Sequence, residues 1–440
     1  MLCHGNVGIS HSSLRPVVQF IKSKTLSALR WSERYTKTDM VYFASGNFWL
    51  TVSRIVSVGS GIALTVAFAN LIPPEVFGTY KYVIALLGIF GAFSLNSIGT
   101  SVTRAVAQGH KDVIRPLFWK SVMWSVPASV FAGFGALYYF INGNSELGLA
   151  LILIMLTNPF FNSFVVYKSL FVGSGDFKSM AIYSIPRTLL SIGVIIAVLI
   201  IQKDIYSILI AYFASSFFFG WWIYSATLHK YKVASGPIST DMLNKVDETM
   251  KYGKDLSVLG IIVQVMSYAD QFILWHFVGP FQLAIYSFAQ APVREIKNFS
   301  ENFFPIIFPK YATKSIEDIK KSMGLRVGQM FLVSLVICIT YILIAPYIFK
   351  ILFPKYMASV LASQILALAI LFQPKGLVET LITAHGDIKK KYTTAILSNI
   401  SRIILLGILI PVYGFIGGAI AITLSELISA LIYYLAYKRL

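Results

Sequence analysis

Charged side chains stand inside runs that otherwise read as the interior of a bilayer. Arg54 lies in NFWLTVSRIVSVGSGIALT; Arg187, Arg294, Lys297, Lys375 and Arg402 are further cations, and Asp270, Glu295, Glu301, Glu379 and Glu426 are acids. One charge at the centre of a membrane helix costs about 2.5–3.5 kcal/mol on insertion scales, so such residues face protein or water. Guanidinium groups match the planar, bidentate geometry of phosphate oxygens, and a low-dielectric cleft strengthens that attraction. Buried carboxylates are suited to carrying a proton or a sodium ion, or to neutralising a cation.

The elements that position these groups are helices. Asn47, Thr51, Arg54, Ser57, Gly61 and Thr65 recur at three- and four-residue steps, giving the first apolar run one polar, small-residue face. Gln290, Arg294, Lys297 and Glu301 share a second face around Pro292, which is expected to break its helix and open backbone towards a cavity. Proline beside polar groups at Asn158-Pro159, Pro186-Arg187 and Gln373-Pro374-Lys375 marks further expected breaks.

Some of these charges have plainer readings. Lys375 and Glu379, four apart, can neutralise one another. Arg402 and Glu426 on consecutive runs can form an interhelical pair, Arg187 can snorkel to the near interface, and Glu295 can neutralise neighbouring cations. Asp270 is the one acid of its run, read either as the buried partner of Arg54 or Arg294 or as the ion site.

Composition sets the class. The 440 residues are 56% hydrophobic and 13% charged, about half the charged share of a soluble domain, with a mean hydropathy of +0.71. About twelve runs long enough to cross a bilayer lie between residues 41 and 437, so the fold is an all-α polytopic membrane protein. The net charge of +18 falls mostly in the connections, which argues against nucleic acid as partner. Alternate connections are rich in Lys and Arg, such as Lys389, Lys390 and Lys391; the opposite set holds Lys203, Lys350 and Lys355. By the positive-inside rule both termini are expected in the cytoplasm.

Cys3 and Cys338 are too few and too distant for a metal cluster or redox pair, and no HExxH or GxSxG appears. No metal or cofactor is expected.

The chain also repeats. Aligning LIPPEVFGTYKY with FVGPFQLAIYSF sets Pro74 against Pro280 and Tyr80 against Tyr286, and GDFK at Gly175–Lys178 matches GDIK at Gly386–Lys389. Two six-helix lobes in parallel orientation follow, residues 39–228 and 256–440, with a charged cytoplasmic linker at 229–255 and a basic tail at 1–38. In secondary transporters so built, the site lies near the midplane between repeats.

PPEVFGTY, TRAVAQGHKD, YADQFILWHFVG and the two GD turns together resemble the Wzx-type polysaccharide repeat-unit flippases of the multidrug/oligosaccharidyl-lipid/polysaccharide exporter superfamily, over residues 41–440. Ala284 departs from that pattern, standing where the turn has glycine. The resemblance implies a transporter, not an enzyme. It moves polyprenyl-pyrophosphate-linked oligosaccharide from the cytoplasmic to the outer leaflet of a cell inner membrane by alternating access, for O-antigen or capsule assembly. The expected substrate residues are Arg54, Arg294, Lys297, Arg187, Asn47 and Thr51, with Tyr42, Phe48, Trp49, Tyr268 and Tyr286 as surfaces for sugar rings. Asp270 and Glu301 are the expected proton or sodium coupling sites. The family also implies membrane lipid, a polysaccharide polymerase and chain-length machinery as partners, with the chain working as a monomer. Two rivals stand: a multidrug cation antiporter of the same fold, which calls for an acidic cavity, and a membrane polymerase or glycosyltransferase, which calls for larger outer loops than this chain has.

Overall fold

A backbone that crosses lipid must satisfy its own hydrogen bonds, and helices do so within one segment. The computed structural model describes residues 40–234, 240–301, 304, 307–308, 311, 315–385 and 388–439, and among these the regular structure is helical. The basic tail at 1–38 and the Gly386-Asp387 turn lie outside the described residues. The helices are α1 (Met40–Leu71), α2 (Pro74–Ala92), α3 (Ile98–Ala107), α4 (Ile114–Ile141), α5 (Ser145–Ser163), α6 (Val165–Gly173), α7 (Phe177–Ile201), α8 (Ile205–Lys230), α9 (Thr240–Glu301), α10 (Ile316–Leu352), α11 (Ser359–Ala367), α12 (Lys375–His385) and α13 (Ile388–Lys438).

Local chemistry starts several of them. Pro74 occupies the first turn of α2, where its missing N–H costs nothing. Asn144, Asp176 and Asp204 accept the backbone N–H of Leu147, Ser179 and Ser207 at 3.1, 3.0 and 2.9 Å, capping α5, α7 and α8. Asp176 belongs to the first GD turn. Partial burial opposes its ionisation, but the Lys230 ammonium and the Ser179 and Tyr231 donors outweigh that and hold the carboxyl at about 2.

Among the described residues nine helices are long and apolar enough to cross a membrane, and ten if α11 with its short extension and α12, bent by 44° at Gln373-Pro374, count as one span. Two of the nine reverse direction. α9 contains Gly279 at φ 80°, and Tyr286 beyond it donates to Asp270 before it, 2.9 Å apart, where a straight helix would hold them about 24 Å apart. α13 contains Gly414 at φ 59°, and a Cβ on Gly417 would fall 2.0 Å from the Leu409 carbonyl. Glycine is required at both turns because an L side chain is strained there.

The break expected at Pro292 does not occur: α9 keeps helical dihedrals through it, as α7 does through Pro186. A lone proline removes one ladder bond, and packing on both sides holds the axis. The break at Gln373-Pro374-Lys375 does occur.

The two halves touch at the end carrying the short, charge-poor connections. Phe77 stacks on Phe288 at 4.4 Å, and Tyr82 on Trp275 at 4.5 Å. Lys355 Nζ donates to the Asn70 carbonyl at 2.8 Å, and Asn70 Nδ2 to the Leu352 carbonyl at 3.1 Å. Gly78 lies directly on the Pro280 backbone, where an added Cβ would meet the carbonyl oxygen at 1.9 Å. Gly78→Ala is therefore expected to disfavour this closed end by about 1–3 kcal/mol. A short bismaleimide linking cysteines placed at Asn70 and Lys355 measures it: yield should fall in the variant, and an unchanged yield would show that the contact does not hold the end shut.

Candidate functional site

Towards the basic end, α1 packs chiefly on α7. Its packed face carries Ser53, Val56, Ser60 and Leu64; the polar stripe beside it leaves Thr51 and Arg54 exposed and Gly61 and Thr65 half-exposed. Arg54 has no hydrogen-bond or ion-pair partner among the described residues, and the Asn47 and Tyr42 side chains lie outside them. A cation held in a membrane helix without a protein partner requires water or an anion beside it.

The second half of α9 repeats this arrangement. Arg294 is exposed and has no partner among the described residues. It lies close enough to Lys81 of α2 to interact with it electrostatically, and Asp270 acts on the same ammonium. Lys81 also stands 5.9 Å from the centre of the Phe77 ring. Two cations from opposite halves of the chain thus face one region, a concentration of positive charge that an anion would relieve.

Asp270 is engaged inside the protein. Its carboxylate, 1% exposed, lies 3.7 Å from Arg402 and accepts from the Tyr286 hydroxyl at 2.9 Å, Gln290 Nε2 at 3.2 Å and the Gln271 N–H at 2.9 Å. Its arginine partner is thus neither Arg54 nor Arg294. Tyr286 is fully buried and offers no surface to a sugar ring.

One turn beyond Arg294, Lys297 reaches Glu426 of α13 at 2.5 Å. Glu426 also pairs with Lys375 of α12, which donates to Ser429 at 2.9 Å. Lys297, Lys375 and Glu426, with Glu301, Gln373, Glu379, Thr380 and Thr383, line a cavity of about 500 Å³. Lys375 is paired across helices with Glu426, and Arg402 with Asp270, so the sequence neighbours do not take up the partners their spacing suggested. Glu295 forms no ion pair among the described residues. Lys297→Gln is expected to cost at most about 1 kcal/mol, because Glu426 keeps Lys375. Glu426→Gln strands two ammonium groups and should cost about 1–3 kcal/mol more; thermal unfolding in detergent separates the two, and equal shifts would dissolve the triad.

Arg187 is bonded within the first half. Its Nη1 donates to the Tyr167 hydroxyl at 2.8 Å, and Tyr212 lies within its electrostatic reach. Lys81 escaped the reading of the sequence because LIPPEVFGTYKY passes for a connection. Since α2 starts at Pro74, Lys81 stands two turns inside it.

The sequence profile of the family described as polysaccharide biosynthesis protein matches residues 43–310. A putative O-antigen transporter of Shigella flexneri is 24% identical over 408 residues, covering 83% of this chain and 91% of that protein. Among solved structures, the lipid II flippase MurJ in an inward closed conformation superposes with a TM-score of 0.57 at 15% identity, over 88% of this chain and 87% of that one. An inward-facing multidrug resistance MATE family transporter gives 0.56 at 13% identity, over 90% and 97%. A MOP superfamily transporter from Pyrococcus furiosus, described as having a binding pocket of reverse polarity, gives 0.54 at 13%, over 90% and 95%. The architecture is therefore the MOP transporter fold of a multi-pass membrane protein. With the profile spanning more than half of its length, the chain belongs to the polysaccharide biosynthesis protein family.

Proposed function

We propose that this chain is a flippase that carries polyprenyl-pyrophosphate-linked oligosaccharide between leaflets, with Arg54 and Arg294 receiving the pyrophosphate. The observation that carries the reading is the exposure of these two unpartnered guanidinium groups inside membrane helices, with Lys81 beside the second. Family membership and the relative described as an O-antigen transporter support the same cargo. A cation drug would be repelled by this charge, so the multidrug reading gains nothing from the shared fold.

The reversals at Gly279 and Gly414 support twelve spans in two six-helix lobes, 39–228 and 256–440. With the basic connections inside, both termini fall in the cytoplasm. The contact of Asn70 with Lys355 then shuts the outer end, and the headgroup enters from the cytoplasm while its polyprenyl chain stays in lipid. Lys297 serves as a further cation for the headgroup, its pairing to Glu426 exchanged for phosphate; Arg187 and Thr51 line the approach, and Asn47 remains a proposed substrate contact from its place in the sequence. Of the two coupling carboxylates, Glu301 is exposed on the cavity wall and open to a proton or sodium ion, whereas Asp270 exchanges only by parting from Arg402. The polymerase and chain-length proteins are the partners this role calls for, and one copy of the chain suffices for it.

Quenching of intrinsic tryptophan fluorescence by a short-chain polyprenyl pyrophosphate tests the reading. Saturable binding that weakens with salt is expected; equal binding of the corresponding neutral alcohol would overturn it.

A further inference from the structure

A second cavity, lined by cations and aromatic rings, lies at the end of the first half that carries the basic connections. It measures about 670 Å³, and Arg115, Trp119, Trp221, Tyr224 and Lys232 are among its lining residues. We propose that it binds an anionic phospholipid of the leaflet at that end, its phosphodiester held between Arg115 and Lys232 and its acyl chains lying against Trp119 and Trp221.

The cations are uncompensated. Arg115 Nε is buried without a hydrogen-bond partner, and no carboxylate is among the described lining residues. The neighbouring acids are engaged elsewhere: Asp112 accepts the Ala234 N–H at 3.1 Å, and Asp247 pairs with Lys120 at 2.5 Å. Arg115 also stands in the first turn of α4, the end of a helix at which positive charge is disfavoured. An anion would offset both costs.

Lys232 adds an independent signal. Leaving α8, the Val233 N–H bonds back to the Leu228 carbonyl at 3.1 Å, a helix-ending motif whose left-handed residue is usually glycine. Lys232 fills that place at φ 50°, the one non-glycine with positive φ among the described residues. A strained lysine where glycine would be free indicates that its side chain is needed. Lys111 Nζ to the Tyr231 carbonyl, at 3.1 Å, holds this turn over the cavity.

The apolar wall identifies the anion as a lipid. Trp119 and Trp221 line the cavity with their rings exposed, the residue type enriched at a membrane–water interface, and Tyr224 stacks on Phe118 at 4.2 Å beside them. Basic pockets at the ends of membrane helices take up anionic headgroups on this principle. A free phosphate would use the cations and leave the tryptophans idle.

Native mass spectrometry of the full-length protein, with phosphatidylglycerol and phosphatidylcholine of identical acyl chains, tests the site. Wild type should retain phosphatidylglycerol preferentially, and Arg115→Gln and Lys232→Gly should each lower that retention roughly fivefold. Millimolar inorganic phosphate should not displace the lipid. Lys232→Gly should melt no lower than wild type in lipid-free detergent, since glycine suits the turn, so its lost lipid cannot be ascribed to unfolding. Equal retention by wild type and both variants, equal retention of the two lipids, or displacement by inorganic phosphate would each overturn the assignment.

Discussion

Proteoliposomes bearing the Arg54→Gln, Arg294→Gln double variant are expected to move a polyprenyl-pyrophosphate oligosaccharide roughly 100-fold or more slowly than wild type, taking about 1.5–3 kcal/mol for each charge-assisted bond. Each single variant should lose part of that. Arg→Lys at either position should rescue incompletely, because an ammonium keeps the charge and loses the two-pronged geometry. Folding should hardly change, since both side chains are exposed and bond to nothing among the described residues; shifts within about 0.5 kcal/mol are expected. A double variant that flips at the wild-type rate would remove Arg54 and Arg294 from the site. One that fails to fold would show that they hold the helices.

Asp270→Ala carries the opposite signature. It leaves Arg402 facing a protein interior with its counter-charge gone, and removing one partner of a buried pair costs about 3–5 kcal/mol. Arg402→Met alone strands the carboxylate instead, with Tyr286 and Gln290 still donating to it, and should be nearly as harmful. The double variant should recover much of the loss, because the penalty lies in the unpaired charge. Thermal unfolding of the four proteins in detergent closes this cycle. Additive losses would mean that Asp270 and Arg402 are not coupled, returning Asp270 to a free ion site.

The sequence showed the helices and the places where charge enters them, since apolar run length and helical spacing are local properties. Pro74 and Pro280 were visible as matching positions, and each does begin a helix after a tight connection. Pairing was less legible. Lys375 and Glu379 satisfy the four-residue rule, yet Glu426, distant in sequence, takes the lysine because α13 packs beside α12. Asp270 could be read as an arginine's partner, but the choice of Arg402 depends on how α13 lies against α9, which spacing does not encode. Tyr286 passed for a sugar platform because its burial follows from the reversal at Gly279, a tertiary event. Proline misled at Pro292: a residue type states a tendency, and packing decides whether the helix bends.

The central claim is that a pyrophosphate headgroup, and not the sugar or the lipid alone, is what the cationic spans recognise. Its most direct test is translocation in one preparation of proteoliposomes, comparing a fluorescent polyprenyl-pyrophosphate trisaccharide with the same trisaccharide joined to the polyprenyl chain by a neutral ether, and with an organic cation dye. Rapid movement of the pyrophosphate form and background movement of the other two are expected. Equal rates for the charged and neutral lipids, or transport of the cation alone, would contradict the claim.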